Sequence, residues 1–263
     1  GFEVIKLPYK EIFPYMDRVD EEEAKRIADR LLEGSKDTKV NPEYLINDTK
    51  YFLAAQDMMK QYGCNAFSTA CIELCASRIP QECKFTPCIT HSLMKAAGIP
   101  STCEEDMNAM MAMMVLMYGS GKSAFMGNPF LKSPEIVGVH HAVPALKMNG
   151  LDKPDLEYSL WAFTGQGFGG KLQVDFAQND DEYVTLGRFN PMGNKMVVKR
   201  GKVLQSEFKR YYCSPDYHIQ IENGRDWLHT LADFGHHQVL VFGDQIDMVC
   251  RVARMMGFEV VKG

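Results

Sequence analysis

From Met107 to Tyr118 the chain reads MNAMMAMMVLMY, a helix-forming run in which Asn108 is the only strongly polar side chain. A helix apolar around nearly its whole circumference has no face to give to water, so the fold must enclose it on most sides. Its methionines read as adaptable core filler rather than as a soft-metal ligand set. Immediately ahead stands STCEEDM, which crowds Glu104, Glu105 and Asp106 into the helix start. Negative charge in a first turn suits the positive end of the helix dipole. That explanation suffices for a solvated helix. At the mouth of a buried one, a carboxylate enters a partly buried place and needs a cation or a donor beside it. These acids are therefore candidates for a metal or catalytic site.

Other segments define the surroundings of that helix. Asp20-Glu-Glu-Glu23 begins an amphipathic helix that Gly34 stops, a second helix is expected from about Asp48 to Tyr62, and a third follows Pro87 to Ala97. NAFSTACIELC and IPSTC read as short extended segments between them. Helices alternating with short apolar strands predict a parallel sheet. Past Gly119 the texture changes to strand-like segments at 123–126, 135–139, 156–163, 171–177, 183–189, 195–199, 203–205 and 218–222, punctuated by GQGFGG, QNDD and NPMGN. Strand QVLVFG, a helix over 244–256 and strand FEVVK close the chain. The fold class expected is α/β: a parallel, Rossmann-like domain over residues 1–122, then an antiparallel β-barrel domain over 123–263 with a closing C-terminal strand-helix-strand. GFEVIKLP reads as the end of a βα unit already under way, so the α/β domain is expected to be incomplete at its N-terminus.

Composition narrows the classes of function. A chain of 263 residues with 46% hydrophobic and 24% charged residues has a globular composition. A net charge of −5 without a local Lys/Arg cluster argues against nucleic acid as a partner. No apolar run approaches the roughly 18 residues that a membrane span needs, and no leader pattern opens the sequence, so a cytoplasmic protein is expected. Six of the eight cysteines fall between Cys64 and Cys103 without a paired CxxC, which suits reduced thiols better than a zinc or iron-sulfur cluster. GSGKS at 119–123 lacks the upstream glycine of a phosphate loop, follows a helix and precedes a strand, the reverse of the order such a loop needs.

Histidine supplies the second half of a site. Four of the seven histidines form two doublets, His140-His141 in VGVHHAVP and His236-His237 in FGHHQVLVFGD. Beside an apolar strand, alternation sends one member of each pair to each side. Two doublets together with an acid cluster point to mixed carboxylate and imidazole ligation, which suits Mn, Fe, Co or Zn.

GIPSTCEEDMNAMMAMMVLMYGSGKSAFMGNP, followed by VGVHHAVP and GHHQVLVFGDQIDMVCRVARMMGFEVV, resembles the C-terminal half of the L-fucose isomerase / L-arabinose isomerase superfamily. The resemblance covers the motifs and their order along nearly the whole chain. It implies a bound Mn²⁺ or another divalent cation, interconversion of an aldose sugar with its ketose, and a homo-oligomer. It places a metal ligand on Glu104 with Asp106 as companion acid, and the last ligand on His237 with His236 adjacent. It also places a further ligand or substrate contact on His140. The second acid of the fucose-type branch falls on Asn128, 24 residues after Glu104, so the chain departs from that pattern there. An amide oxygen ligates a hard cation but carries no charge and takes no proton at neutral pH.

The implied reaction moves a proton between C1 and C2 through an enediol and needs a base, an acid and a Lewis acid. Glu104, Asp106 and Asn128 are the catalytic candidates, with Glu73 of CIELC and the histidines as substrate contacts or auxiliary groups. Two alternatives stand beside the isomerase. One is a sugar-binding or regulatory relative whose site has decayed at Asn128, and the other a metal-dependent reaction on a sugar acid or derivative.

Overall fold

The computed structural model describes residues 3–163, 168–209 and 213–263. From Glu3 to Pro8 the chain forms no helix or strand. After a single 3-10 turn come α1 (Phe13–Met16) and α2 (Glu21–Gly34), the latter capped by Asp20, whose side chain accepts the Glu22 N–H. A short strand β1 (Ser35–Lys39) leads to α3 (Pro42–Tyr62). This helix starts earlier than its apolar stripe suggests, because Asn41 caps it and Pro42 occupies its first turn, and Gly63 ends it in the left-handed conformation with φ 65°.

Only Phe67–Thr69 of NAFSTACIELC is extended, as β2, and Cys71–Ala76 coils into α4. Among the described residues the neighbour of β2 is β3 (Ser101–Cys103), which offers three residues to pair with, Thr69 lying opposite Cys103. Between them lie α5 (Ile79–Cys83) and α6 (Cys88–Ala96), and β3 runs directly into α7 (Met107–Ser120). Within the first part, the parallel sheet expected there is, among the described residues, the two-stranded β2–β3 ribbon, while β1 finds its parallel partner beyond residue 122.

The remaining elements are β4 (Phe125–Ser133), β5 (Ile136–His140), β6 (Tyr158–Ala162), β7 (Gly170–Val174), β8 (Val184–Phe189), β9 (Lys195–Glu207), β10 (Asp216–Gln220), α8 (Gly224–Thr230), β11 (Gln238–Phe242), α9 (Ile246–Met256) and β12 (Glu259–Lys262). β1 pairs parallel to β6, which pairs antiparallel to β7, giving a three-stranded sheet. The other strands form a seven-stranded sheet in the order β10-β5-β4-β11-β8-β9-β12. This sheet is mixed rather than a regular antiparallel barrel. β12 runs parallel to β9, and β9 bends so that 196–201 pair with β8 while 202–207 pair with β10. The closing strand-helix-strand belongs to the same sheet through β11 and β12. The fold is thus mixed α/β with both parallel and antiparallel pairing. The GQGFGG turn is described only from Phe168, since 164–167 lie outside the described residues. Among the described residues, no helix is long and apolar enough to cross a membrane.

α7 fills the role its composition demands. Ala109, Ala112, Met113, Leu116 and Met117 are fully enclosed and share one core cluster with Met196, Val198, Val239, Val241 and Val249. Gly119 lets this helix lie against α9, because a Cβ there would collide with the Met248 side chain. Gly121 then ends α7 with φ 67°, so GSGKS is a helix C-terminus, the wrong end for holding phosphate. Truncating Leu116 to alanine leaves a cavity at the centre of this cluster. A loss of about 2–5 kcal/mol is expected, read as a lowered midpoint in chemical denaturation.

Candidate metal centre

The step from β3 into α7 is conformationally costly. Glu104 (φ 60°) and Glu105 (φ 53°) both occupy the left-handed region, where a side chain is disfavoured. Two such residues in succession make a tight corner. Glu104 is turned inward, with its side chain 21% exposed, while Glu105 turns out towards Lys6 Nζ, 3.9 Å away. The next residue, Asp106, caps α7 by accepting the Ala109 N–H on Oδ1.

At that corner Glu104 meets imidazoles from two distant segments. His141 Nε2 lies 3.5 Å from Oε1, and His237 Nε2 lies 3.5 Å from Oε2. The three ligand-bearing atoms fall within 4.8 Å of one another, close enough to hold one ion between them. The His141 imidazole, directed at Glu104, holds this carboxyl below its ordinary value against the effect of burial, with His237 and His236 assisting. Glu104 is therefore an anion at neutral pH.

A second set of contacts orients the donors. His237, fully buried, has its Nδ1 2.8 Å from Asp106 Oδ2, and the same oxygen accepts from Arg188 at 2.6 Å. Burial opposes the charge on Asp106, but the hydrogen bonds from His237 and Arg188 and the guanidinium charge outweigh it and hold the carboxyl well below the usual range. An ionised Asp106 is acceptor-only, so His237 places its proton on Nδ1 and leaves Nε2 as a bare lone pair facing Glu104. His141 is arranged the other way, for its Nδ1 accepts the Ala142 N–H at 3.0 Å. Both Nε2 atoms are buried and, among the described residues, without a hydrogen-bond partner. One ionised carboxylate with the Nε2 lone pair of His237, and with that of His141 once its proton moves to Nδ1, fits a divalent cation of the Mn, Fe, Co or Zn kind. Glu104 and His237 could serve as ligands as they stand. His141 joins them only by giving up the Ala142 contact.

The residues singled out from sequence divide accordingly. Glu104 and His237 come together. Asp106 serves as the orienting acid behind His237, with both oxygens occupied, rather than as a free ligand or base. His236 lies on the solvent side, its side chain 64% exposed, with its ring 4.1 Å from that of His237 and Nε2 3.8 Å from Glu104. His140 is not the imidazole at the cluster. As the last residue of β5 it is held by the Cys213 carbonyl at 3.0 Å and by the edge of Phe130, and its neighbour His141 takes the expected place. Asn128 lies opposite His140 in the β4–β5 ladder, on the same face as Met126, whose Sδ accepts the Cys103 N–H at 3.2 Å. Its side chain makes no hydrogen bond among the described residues. Glu73 is exposed on α4 and takes no part in the cluster.

Two buried cations are invisible to sequence pattern. Arg188, on β8, ties Asp106 to the Phe234 and His237 carbonyls through the left-handed Gly235 bend, where a Cβ would strike the guanidinium. Lys95, on α6, is fully buried and donates to the Val143 carbonyl at 2.5 Å. A cavity of about 570 Å³, lined by Tyr51, Met58, Met59, Met110 and the segment 3–9, reaches the corner only at Glu105 and Met107.

No family model and no curated protein matches this chain.

Replacing Asp106 by asparagine keeps the helix cap but leaves the Arg188 guanidinium, 7% exposed, without its counter-charge. A destabilisation of about 3–5 kcal/mol is expected at neutral pH. Because the folded carboxyl titrates below its unfolded value, the wild-type advantage is complete above the ordinary carboxyl range. It should shrink as the pH falls through that range towards the folded value, as parallel urea titrations of both proteins would show. Lys95 gives the opposite profile. Burial pulls its ammonium from 10.5 down to about 7, so between those values the unfolded chain holds a proton that the folded protein lacks. Stability should therefore rise with pH across that window in the wild type and stay flatter in Lys95→Met, measured by denaturation at fixed pH.

Proposed function

We propose that the chain is a metal-dependent aldose-ketose isomerase of the L-fucose/L-arabinose isomerase type, or the C-terminal portion of one. The observation that carries this reading is the convergence of Glu104 and His237, in the motif order that the resemblance requires, with Asp106 orienting the imidazole. Glu104, His237 and His141 would hold a divalent cation such as Mn²⁺, with the half-buried Asn128 as a neutral oxygen donor. When bound, that cation supplies Lewis acidity to the carbonyl and hydroxyl oxygens of the sugar.

The chain's own groups handle the proton. Glu104 is ionised and, among the described residues, its carboxylate faces only imidazole nitrogens, His141 and His237 at 3.5 Å and His236 at 3.8 Å, so it is the carboxylate we assign to accept a proton from C1 or C2. Asp106 keeps the His237 proton on Nδ1 and acts as a positioning residue. His236, exposed and 3.8 Å from Glu104, would contact a hydroxyl of the sugar in this reading. A homo-oligomer and a cytoplasmic location belong to the same proposal.

Asn128 favours a second reading, a sugar-binding relative without catalysis. The donor set Glu104, His237 and His141 carries a single negative charge against a divalent ion. The test is conversion of a panel of pentoses, hexoses and 6-deoxyhexoses by the full chain with Mn²⁺, beside Glu104→Gln and Asn128→Asp. Turnover by the native chain, lost at least 10³-fold in Glu104→Gln, is expected of an isomerase. Turnover confined to Asn128→Asp identifies the binder. Neither turnover nor sugar binding in any form overturns both.

A further inference from the structure

The corner that carries Glu104 also brings two cysteines together. Cys103, the last residue of β3, is 2% exposed, and its Sγ donates to Sγ of Cys71 at 3.0 Å. Cys71 begins α4, two residues beyond Thr69, which pairs with Cys103 across the β2–β3 ribbon, and it is half-buried. The parallel pairing of two short strands thus fixes both backbones, and the two sulfurs sit where their chains leave the ribbon.

Two chemistries compete for such a pair. Both sulfurs and the Glu104 carboxylate lie within 4.8 Å of one another, which admits a thiophilic cation. Two thiolates at about 2.3 Å from one tetrahedral zinc, however, stand roughly 3.8 Å apart. At 3.0 Å the sulfurs are closer than chelation sets them, and about 1 Å from the roughly 2.0 Å of a disulfide. The separation favours the covalent bond.

We propose that Cys71 and Cys103 are a redox-active dithiol that closes to an intramolecular disulfide at the expense of a small-molecule disulfide of the glutathione class. Cys71, the more accessible thiol, sheds its proton to solvent and attacks one sulfur of the oxidant, breaking that S–S bond, forming a mixed disulfide and releasing one small thiol. Cys103 then loses its proton and attacks Sγ of Cys71, releasing the second small thiol. Two protein thiols are oxidised and one external disulfide is reduced to two thiols. The bond would pin the residue directly ahead of Glu104. The inference does not depend on the reaction proposed above, since it rests on the two sulfurs alone.

The test equilibrates the reduced full chain with graded ratios of oxidised to reduced glutathione, quenches with acid, alkylates and maps the peptides by mass. The expected result is a Cys71–Cys103 cross-linked peptide and loss of those two alkylation sites, while the other six cysteines stay modifiable. In Cys103→Ser the second step is blocked, so a glutathione adduct should accumulate on Cys71. Full alkylation of both cysteines at strongly oxidising ratios overturns the proposal. So does a Cys71 linkage to Cys75, one helical turn further on, in place of Cys103. The wild-type map decides the matter even if the variant fails to fold.

Discussion

Asp106 is the interaction on which the site is assembled. Its Oδ1 closes the first turn of α7, and its Oδ2 receives both Arg188 from β8 and His237 from the segment ahead of β11. One carboxylate therefore joins the buried helix to the seven-stranded sheet and sets the proton position on an imidazole. Its charge is sustained at 8% side-chain exposure because three donors converge on it. In a low-dielectric place a half-satisfied network of this kind would cost more than an apolar one, so its members stand or fall together.

The buried helix was legible from sequence because its signal is local. A run without a polar face specifies burial and a start at Met107, whereas the acids expected in its first turn lie ahead of it, with Asp106 as the cap. That Glu104 and His237 come close together agrees with the order in which the sequence set them as candidates. His141 and Arg188 were not legible from sequence. Whether His140 or His141 faces Glu104 depends on β5 ending at His140, which alternation within a strand cannot reveal. Arg188 lies 82 residues from Asp106, and nothing in its own neighbourhood marks it as more than a strand residue.

Sheet architecture shows the same division between local and distant information. Most strand positions follow from alternation and turn residues. Partner choice does not, and the expected regular barrel became a mixed sheet because β12 pairs parallel to a β9 that bends between two neighbours. The segments 195–199 and 203–205 look separate in sequence, since Arg200, Gly201 and Lys202 interrupt the apolar pattern. In the fold they are one strand whose bend needs that interruption, Gly201 lying where a Cβ would press on Ile219 and the Gln220 carbonyl.

The paired left-handed residues Glu104 and Glu105 bear on how this protein changes over evolutionary time. Glycine would hold that corner with less strain, by roughly 1 kcal/mol or more at each position. Selection on folding alone therefore pushes both positions towards residues without a carboxylate. A lineage that stopped needing the site would be expected to lose Glu104 early and gain stability in doing so, which makes the identity of this residue a sensitive record of whether the site is in use.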